Sequence, residues 1–262
     1  MIKILTGYSN VGGSTTALAG LCNLFNNNSM PCEIYGPTEW VKNKLNGDYY
    51  RPLNSAKFMR EDTIIYHFLN LKHRPPVRKF VLSCHETNVF PIKDLNPAYD
   101  AVQFVSKFQK DWQGIEGVII PNIISKYTKS EKRISNKVAG VIGSIDSHKQ
   151  THVSIKRALA DKEICKIELW GQITDFQYFW NEVYPLLNEN ISYHGASKDM
   201  QKVYDRIDVA YSSSLRECLP MIQAECHLAG VEYRGLPENT RDINEYIFDD
   251  QEILNKWKEL LF

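Results

Sequence analysis

Short apolar runs alternate with longer stretches of mixed polarity in the first half of the chain. The run Ile2–Leu5 predicts a first strand, and a glycine-containing turn follows it at Gly7–Ser14. Apolar residues then recur at helical spacing across Thr15–Asn26, which predicts a helix. Further strands are predicted at Cys32–Tyr35, Thr63–His67, Phe80–Cys84, Ala101–Ser106 and Val118–Ile120. This alternation favours a parallel sheet joined by crossover helices.

A second series of the same kind begins near Val138. Its predicted strands are Val138–Ile142, Cys165–Trp170, Ile207–Tyr211 and Val231–Tyr233. Its predicted helices are Thr151–Leu159, Phe176–Leu187, Leu219–Leu228 and an amphipathic tail, Asp250–Phe262. The second half is therefore also predicted to be an α/β layer with a parallel sheet.

The polar stretch 125–136 separates the two series and has no apolar period. We take it as a domain boundary, because two halves of this length are each near the common domain size. The predicted fold class is α/β, with two Rossmann-like domains. Residues 1–128 form the first, residues 135–245 the second, and residues 246–262 a C-terminal helix that packs back across both.

Charge and cysteine content narrow the function classes. The charges of the 31 basic and 31 acidic residues cancel, so the net charge of the chain does not favour binding to nucleic acid or anionic lipid. Two local basic patches, 72–79 and 126–137, are either solvated surface or a docking face for an anionic acceptor or a membrane surface. None of the six cysteines forms a C-x-x-C pair, so no zinc or redox motif is indicated. With no charged leader and no long apolar run, we expect free thiols in a reducing cytoplasm and no transmembrane segment.

Two glutamates eight positions apart carry the strongest chemical signal. Glu217 lies in a predicted loop and Glu225 inside a predicted helix. Eight helical residues span about 12 Å, so one carboxylate can hold sugar hydroxyls while the other holds a ribose. The helix N-terminus between them suits a diphosphate. The spacing alone is also compatible with an ordinary surface helix.

The residues around the two glutamates favour a functional site over an ordinary surface helix. The stretch Ser214–Gly230 resembles the S-x-x-E-x₇-E signature of family 4-like retaining glycosyltransferases of the GT-B fold. Other segments resemble the family in the same order: Asn10–Gly13, Ser83–Thr87, Val105–Lys107, Ile120–Asn122, Val141–Ser144 with Lys149, and Leu169–Gly171. The resemblance covers about residues 1–235, and the short chain is also similar to phage or viral enzymes.

The resemblance implies two domains facing across a cleft and metal-independent, retaining transfer of a hexose or pentose from a nucleoside diphosphate sugar, with a UDP-sugar expected and no cofactor. It assigns His85 and Glu217 to the donor sugar as catalytic residues. Donor binding is assigned to Gly12, Gly13, Lys149, Ser214, Arg216, Cys218, Leu219 and Glu225. Among these, Lys149 and the two glycines serve the diphosphate, and Glu225 the ribose. His194 is a further candidate, near the nucleotide base.

Three departures from the family pattern keep an alternative open. Ser144 stands where the family has an arginine, Gln150 replaces a glycine after Lys149, and Ser213 replaces a proline. The alternative is a non-catalytic GT-B-like module that binds a sugar nucleotide or nucleic acid. A nucleotide-hydrolysing switch is disfavoured, because Gly13 stands where a phosphate-binding loop needs its lysine.

The acceptor is open at this point. A hydroxymethylated base in duplex DNA is one hypothesis, from the size of the chain and its basic patches, although zero net charge weakens it. A surface glycan, a lipid-linked sugar and a small metabolite are the others. The expected location is the cytoplasm, which is the host cytoplasm for a phage-encoded enzyme.

Overall fold

The computed structural model describes residues 1–7, 12–37, 39–69, 73–85 and 99–262. Parts of three predicted features lie outside the described residues: Asn10 and Val11 of the glycine loop, Glu86 and Thr87 after His85, and Lys72 of the first basic patch. The chain forms two compact units, residues 1–124 with 242–262 and residues 125–241. The last 21 residues thus belong to the first unit.

A seven-stranded parallel sheet forms the centre of the first unit, in the order β3-β2-β1-β4-β5-β6-β7. The strands are β1 Ile2–Thr6, β2 Cys32–Gly36, β3 Tyr50–Pro52, β4 Thr63–His67, β5 Lys79–Cys84, β6 Ala101–Phe104 and β7 Val118–Ile119. Every residue of β1 and β4 is buried, as expected for central strands covered on both faces. Each predicted strand of this half is present, and the three-residue β3 is an addition.

Helices cover this sheet. The described α-helices of the first unit are α1 Gly13–Asn27, α2 Lys107–Gln113 and, from the end of the chain, α7 Asp250–Leu261; 3₁₀ turns lie at Glu39–Lys44, Leu53–Ser55 and Ile243–Glu245. The apolar stripe of α7 is buried in the same core as α1. Within that core the Trp257 and Phe25 rings meet edge to face, with centroids 6.1 Å apart. The C-terminal segment therefore completes the core of the first unit.

The second unit contains a five-stranded parallel sheet in the order β10-β9-β8-β11-β12. Its strands are β8 Lys137–Ile142, β9 Ile164–Trp170, β10 Ile191–Tyr193, β11 Val209–Tyr211 and β12 Glu232–Arg234. The strand order reverses direction between β8 and β11, which is where doubly wound sheets open a crevice for ligands. The two parallel sheets confirm the predicted fold class.

Three regular α-helices and one irregular helical segment pack on this second sheet. The helices are α3 Thr151–Leu159, α5 Met200–Arg206 and α6 Met221–Ala229, with a 3₁₀ turn at Pro237–Asn239. The irregular segment begins as α4, Phe176–Tyr178, continues as a π-helix at Phe179–Val183 and ends as a 3₁₀ turn at Tyr184–Leu186. The helix predicted at Phe176–Leu187 is therefore present through Leu186, but only its first three residues are α-helical. Pro185 has no backbone N–H for an α-helical bond, so the final turn takes another geometry.

Candidate active site

The strand reversal of the second sheet holds a small concave surface rich in hydroxyl groups. Its lining includes Gly143, Ser144, Lys149, Thr151, Ser154, Tyr211, Ser212 and Ser214. These residues come from the loops after β8 and β11 and from the first turn of α3. The Ser154 hydroxyl is buried and has no hydrogen-bond partner within the described part of the chain. A crevice of this kind at a switch point suits a polar ligand.

Lys149 and Glu217 meet beside this surface. Lys149 Nζ lies 2.6 Å from Glu217 Oε1, and both side chains are partly buried. Burial by itself raises the pKa of the Glu217 carboxyl, but the charge and hydrogen bond of Lys149 outweigh burial, so that pKa lies below its ordinary value. The structure thus joins two residues, 68 positions apart, that the sequence assigned separately to phosphate and sugar.

Backbone contacts join the two loops that carry this pair. The Leu215 N–H donates to the carbonyl of His148 at 2.9 Å. The ring Nε2 of His148 lies 3.1 Å from the carbonyl oxygen of Arg216. Lys149 is tied in turn through its own N–H, which donates to Asp146 Oδ1 at 2.8 Å. The ion pair therefore forms between loops that are already fastened together.

Asp146 organises the loop after β8, and sequence reasoning missed it. Its Oδ2 accepts hydrogen bonds from the Ser144 hydroxyl at 2.7 Å and from the Thr174 hydroxyl at 2.9 Å. Ser144, which replaces the family's arginine, is thus bonded to a carboxylate. This loop also passes close to the end of β9. A Cβ atom on Gly171 would lie 1.6 Å from the carbonyl oxygen of Gly143, so only glycine fits there.

A buried polar network lies behind the loop that carries Glu217, and no sequence signal pointed to it. Asn239 Oδ1 accepts the Glu217 N–H at 3.0 Å, and the Asn239 amide donates to the Ser214 carbonyl. Arg241 donates to the carbonyls of Glu217 and Cys218, at 2.5 and 3.2 Å. Asn239 and Arg241 are 4% and 9% exposed, so the network is fixed inside the unit.

The other predicted donor residues of this motif have different surroundings. Cys218 and Leu219 are buried, so a ligand would meet their backbone rather than their side chains. Helix α6 begins at Met221, so the stretch between the two glutamates is only partly helical and the 12 Å estimate does not apply. The Glu225 carboxylate is buried and accepts the hydroxyl of Tyr204 at 2.5 Å. The structure therefore links Glu225 to the core of the unit, and its ribose role stays a prediction.

An aromatic stack lies at the carboxyl ends of β9 and β10. The Trp170 and His194 rings are nearly parallel, with centroids 4.3 Å apart. Burial lowers the pKa of His194, although the nearby Glu168 carboxylate opposes it. A neutral imidazole stacked on an indole suits a flat ligand, and contact with a base stays a prediction.

In the first unit, His85 belongs to a row of polar side chains at the strand ends. Its Nε2 lies 3.0 Å from the Ser83 hydroxyl, which donates to Gln103 Oε1 at 2.6 Å. The amide of Gln103 in turn donates to the Ile120 carbonyl. The neighbouring ring of His67 lies edge to face with that of His85, with centroids 5.0 Å apart.

His67 itself is fully buried, and its Nδ1 lies 3.0 Å from the Thr6 hydroxyl at the junction of β1 and β4.

The two glycines of the predicted donor loop lie at the start of α1. Gly12 is its extended N-cap residue, and the Gly12 N–H donates to the Thr15 hydroxyl at 2.9 Å. Gly13 is the first residue of the helix.

Several basic residues of the two patches are engaged within their own units. Arg74 forms a bidentate pair with Asp100, at 2.7 and 2.6 Å. Arg133 pairs with Asp208 at 2.9 Å. Lys132 donates to a backbone carbonyl, that of Tyr204, at 2.6 Å. These contacts support a structural interpretation of the patches over a docking face.

The described residues contain neither a cluster of metal-ligand side chains nor a helix that could span a membrane. No three His, Cys, Asp or Glu side chains in the described ranges group together as a metal site requires. No helix within those ranges is both long and apolar enough to cross a bilayer.

Comparison with known proteins shows the fold. No family model matches the sequence, and no curated protein matches it significantly. Among solved structures, Anabaena HepE in complex with UDP-glucose aligns with a TM-score of 0.69 and 13% identity, covering 91% of this chain and 80% of HepE. The chain shares its fold with GT-B glycosyltransferases.

Two further structures support the same fold. WaaG, a glycosyltransferase involved in lipopolysaccharide biosynthesis, aligns with a TM-score of 0.68 and 9% identity, over 100% of this chain and 90% of WaaG. A glycosyltransferase from Rickettsia africae ESF-5 aligns with a TM-score of 0.62 and 14% identity, over 99% and 89%. The chain thus covers 80%, 90% and 89% of the HepE, WaaG and Rickettsia structures.

Proposed function

We propose that this protein is a glycosyltransferase that moves a sugar from a nucleoside diphosphate sugar, with UDP-sugar as the expected donor, to a hydroxyl acceptor with retention. The observation that carries the proposal is the Lys149–Glu217 pair, which lies at the strand reversal of a glycosyltransferase-like second unit. A cation beside a carboxylate at a hydroxyl-lined crevice matches what a sugar nucleotide presents: an anionic diphosphate next to a polyol.

The chemistry follows from these charges. The bond between the anomeric carbon and the diphosphate oxygen breaks, and a bond to the acceptor oxygen forms on the same face of the sugar. The acceptor's proton leaves with the departing diphosphate. Lys149 stabilises the negative charge that develops on the leaving group, which is the largest electrostatic demand of this step. The ionised carboxylate of Glu217 accepts hydrogen bonds from sugar hydroxyls, and this orients the ring.

Ligand binding requires Lys149 to add a partner, a phosphate oxygen. Its ammonium has three N–H donors, so it can contact a phosphate oxygen while keeping its bond to Glu217. The resemblance adds His85 on the sugar, Gly12 and Gly13 on the diphosphate, and Glu225 on the ribose. The roles of these four residues are part of the proposal and rest on the resemblance alone.

A second candidate, a non-catalytic sugar-nucleotide-binding module, is favoured by the loop after β8. There Ser144 replaces a cation and is bonded to the Asp146 carboxylate, so the loop offers the diphosphate less positive charge. Such a module binds a nucleotide but does not turn it over. Slow hydrolysis of the donor sugar separates it from the transferase, because hydrolysis requires the same leaving-group stabilisation.

The deciding experiment is a thermal-shift screen with UDP, GDP, ADP, TDP and CMP at millimolar concentration. A ligand that binds only the folded state raises its apparent stability, so one nucleotide should give a clear shift. Turnover of the matching sugar nucleotide is then measured with water, glycans and hydroxymethylated duplex DNA as acceptors. No shift with any of the five nucleotides would contradict a donor site. A shift without hydrolysis or transfer would favour the binding module.

A further inference from the structure

The network behind the Glu217 loop uses residues that lie about 20 positions after it and have no place in the motif. Asn239 bonds both ends of the tetrapeptide Ser214–Glu217, accepting the Glu217 N–H and donating to the Ser214 carbonyl. Asn239 therefore joins the two ends of this four-residue segment. Its side chain is 4% exposed, so water does not compete for these bonds.

Arg241 fixes the direction of the next two peptide groups. It donates to the consecutive carbonyls of Glu217 and Cys218, from Nη2 and Nε. In a planar trans peptide the N–H points opposite to the carbonyl. The N–H groups of Cys218 and Leu219 are thus aimed away from the Arg241 guanidinium.

The guanidinium is itself held in place. Its Nη1 donates to the carbonyls of Glu238 and Thr240, at 2.9 and 3.1 Å. The Gln223 side chain, on the first turn of α6, accepts the Arg241 N–H at 3.0 Å and donates to the Arg241 carbonyl at 2.5 Å. The network therefore also joins the loop to the helix that follows it. Three planar side chains with fixed hydrogen-bond partners form a rigid support.

We infer that Asn239 and Arg241 are positioning residues of the donor site, which hold the Glu217 carboxylate against Lys149 and direct the Cys218 and Leu219 amides to one side. This inference rests on the proposed function for its ligand, a nucleoside diphosphate. Consecutive amides directed to one side form a nest suited to an anion, and a loop held before binding needs no ordering when the ligand arrives.

The test uses the full chain and two substitutions, Asn239→Ala and Arg241→Gln. Hydrogen exchange without ligand is measured first, over peptides that span 212–224. Exchange there should rise in both variants, while exchange in β8 and β9 stays unchanged. Arg133→Gln is the matched control, because Arg133 also bonds to a backbone carbonyl of this unit but lies at Arg206 and Asp208. Unchanged exchange in the loop would contradict the claim that Asn239 and Arg241 hold it, whether or not the protein binds nucleotides.

The second measurement is UDP and UMP affinity by calorimetry, and donor KM and kcat where turnover is found. Losing charge-assisted bonds to the loop should weaken UDP by about tenfold or more in Arg241→Gln, and UMP by less. Arg241→Lys keeps the positive charge but not the planar guanidinium with its several N–H donors. It should therefore bind UDP more tightly than Arg241→Gln but less tightly than wild type. A looser loop with unchanged UDP affinity overturns the positioning role. If the wild-type protein binds neither nucleotide, the proposed function is wrong. The hydrogen-exchange measurement then still tests the hydrogen-bond network, because it needs no ligand.

Discussion

Both units present polar side chains at the carboxyl ends of central strands, but they build these clusters differently. In the first unit the strands themselves supply the groups: Ser83 and Gln103 hydrogen-bond across neighbouring strands beside His85. In the second unit the Lys149–Glu217 pair comes from loops, and residues far along the chain hold those loops. The first cluster joins hydroxyl, amide and imidazole groups by hydrogen bonds, whereas the second contains an ion pair.

This difference indicates how each cluster responds to substitution. A strand-borne group keeps its place as long as the sheet forms, so substitution there removes one contact. A loop-borne charge needs both its partner and its support, so substitution at any of several places disturbs it. We expect the second unit to dominate catalysis and binding, and the four predictions below test that expectation, from the largest effect to the smallest.

Removing either charge of the pair should have the largest effect. Lys149→Met and Glu217→Gln are each expected to lower turnover about 10²–10³-fold, because one loses leaving-group stabilisation and the other loses sugar contacts. Steady-state donor turnover measures the loss. The control is Glu189→Gln, an exposed carboxylate of the same unit, which should leave the rate unchanged. Wild-type turnover in both charge variants would contradict the role of the pair.

The comparison between units is sharpened by His85→Ala and Glu225→Ala. We expect His85→Ala to lower turnover about 10–100-fold with nucleotide affinity largely kept. Glu225→Ala should instead weaken nucleotide binding. Calorimetry with UDP, together with kcat, separates the two results. His73→Ala, at an exposed position of the first unit, is the control. Equal affinity losses in both variants would refute the division of roles.

Adding back a cation at Ser144 probes the charge of the loop after β8. Ser144→Arg should tighten UDP binding only about fivefold, because the neighbouring Asp146 carboxylate competes for the guanidinium. Ser144→Gln, of similar polarity but uncharged, should give no gain. The gain should shrink as salt rises, since it depends on partly exposed charges. A tightening that is the same in high salt would point to packing instead.

The smallest effect concerns pH and stability. Because Lys149 holds the folded-state pKa of Glu217 below its ordinary value, the pair stabilises the fold above the unfolded pKa of about 4.3. The pair contributes about 1 kcal/mol or less to the free energy of unfolding, because Lys149 is partly exposed. This contribution should disappear as pH falls through the folded-state pKa of Glu217. Denaturant unfolding of wild type and Glu217→Gln should therefore differ at pH 7 and converge in acid. A difference that grows toward acid would have the wrong sign.

The strands and most helices were predictable because buried parallel strands are short apolar runs with strong local signals. The sequence predicted Thr63–His67 and Thr151–Leu159 with the bounds that the structure has. It missed β3 and β10, which have three residues each, and β3 includes a proline, which weakens a strand signal. It also missed the π-helical turn before Pro185, because backbone geometry of that kind leaves no apolar period.

The sequence named candidate site residues one by one but did not show their connections. Lys149 and Glu217 were both identified, yet nothing in the sequence joins positions 68 apart. Asn239 and Arg241 have no motif, because their function is to bond backbone carbonyls and amides that any sequence would offer. Positions of this kind are found only once the chain is folded.

The return of the chain to its first unit bears on how the molecule is made. Trp257 of α7 packs against Phe25 of α1, and α7 is synthesised only after the whole of the second unit. The second unit is continuous, so all of its residues have been synthesised while the first still lacks its closing helix. The order in which the two units can mature is thus the reverse of the order in which the chain begins them. Residues of α1 therefore lack their native neighbours in α7 until the second unit has been synthesised.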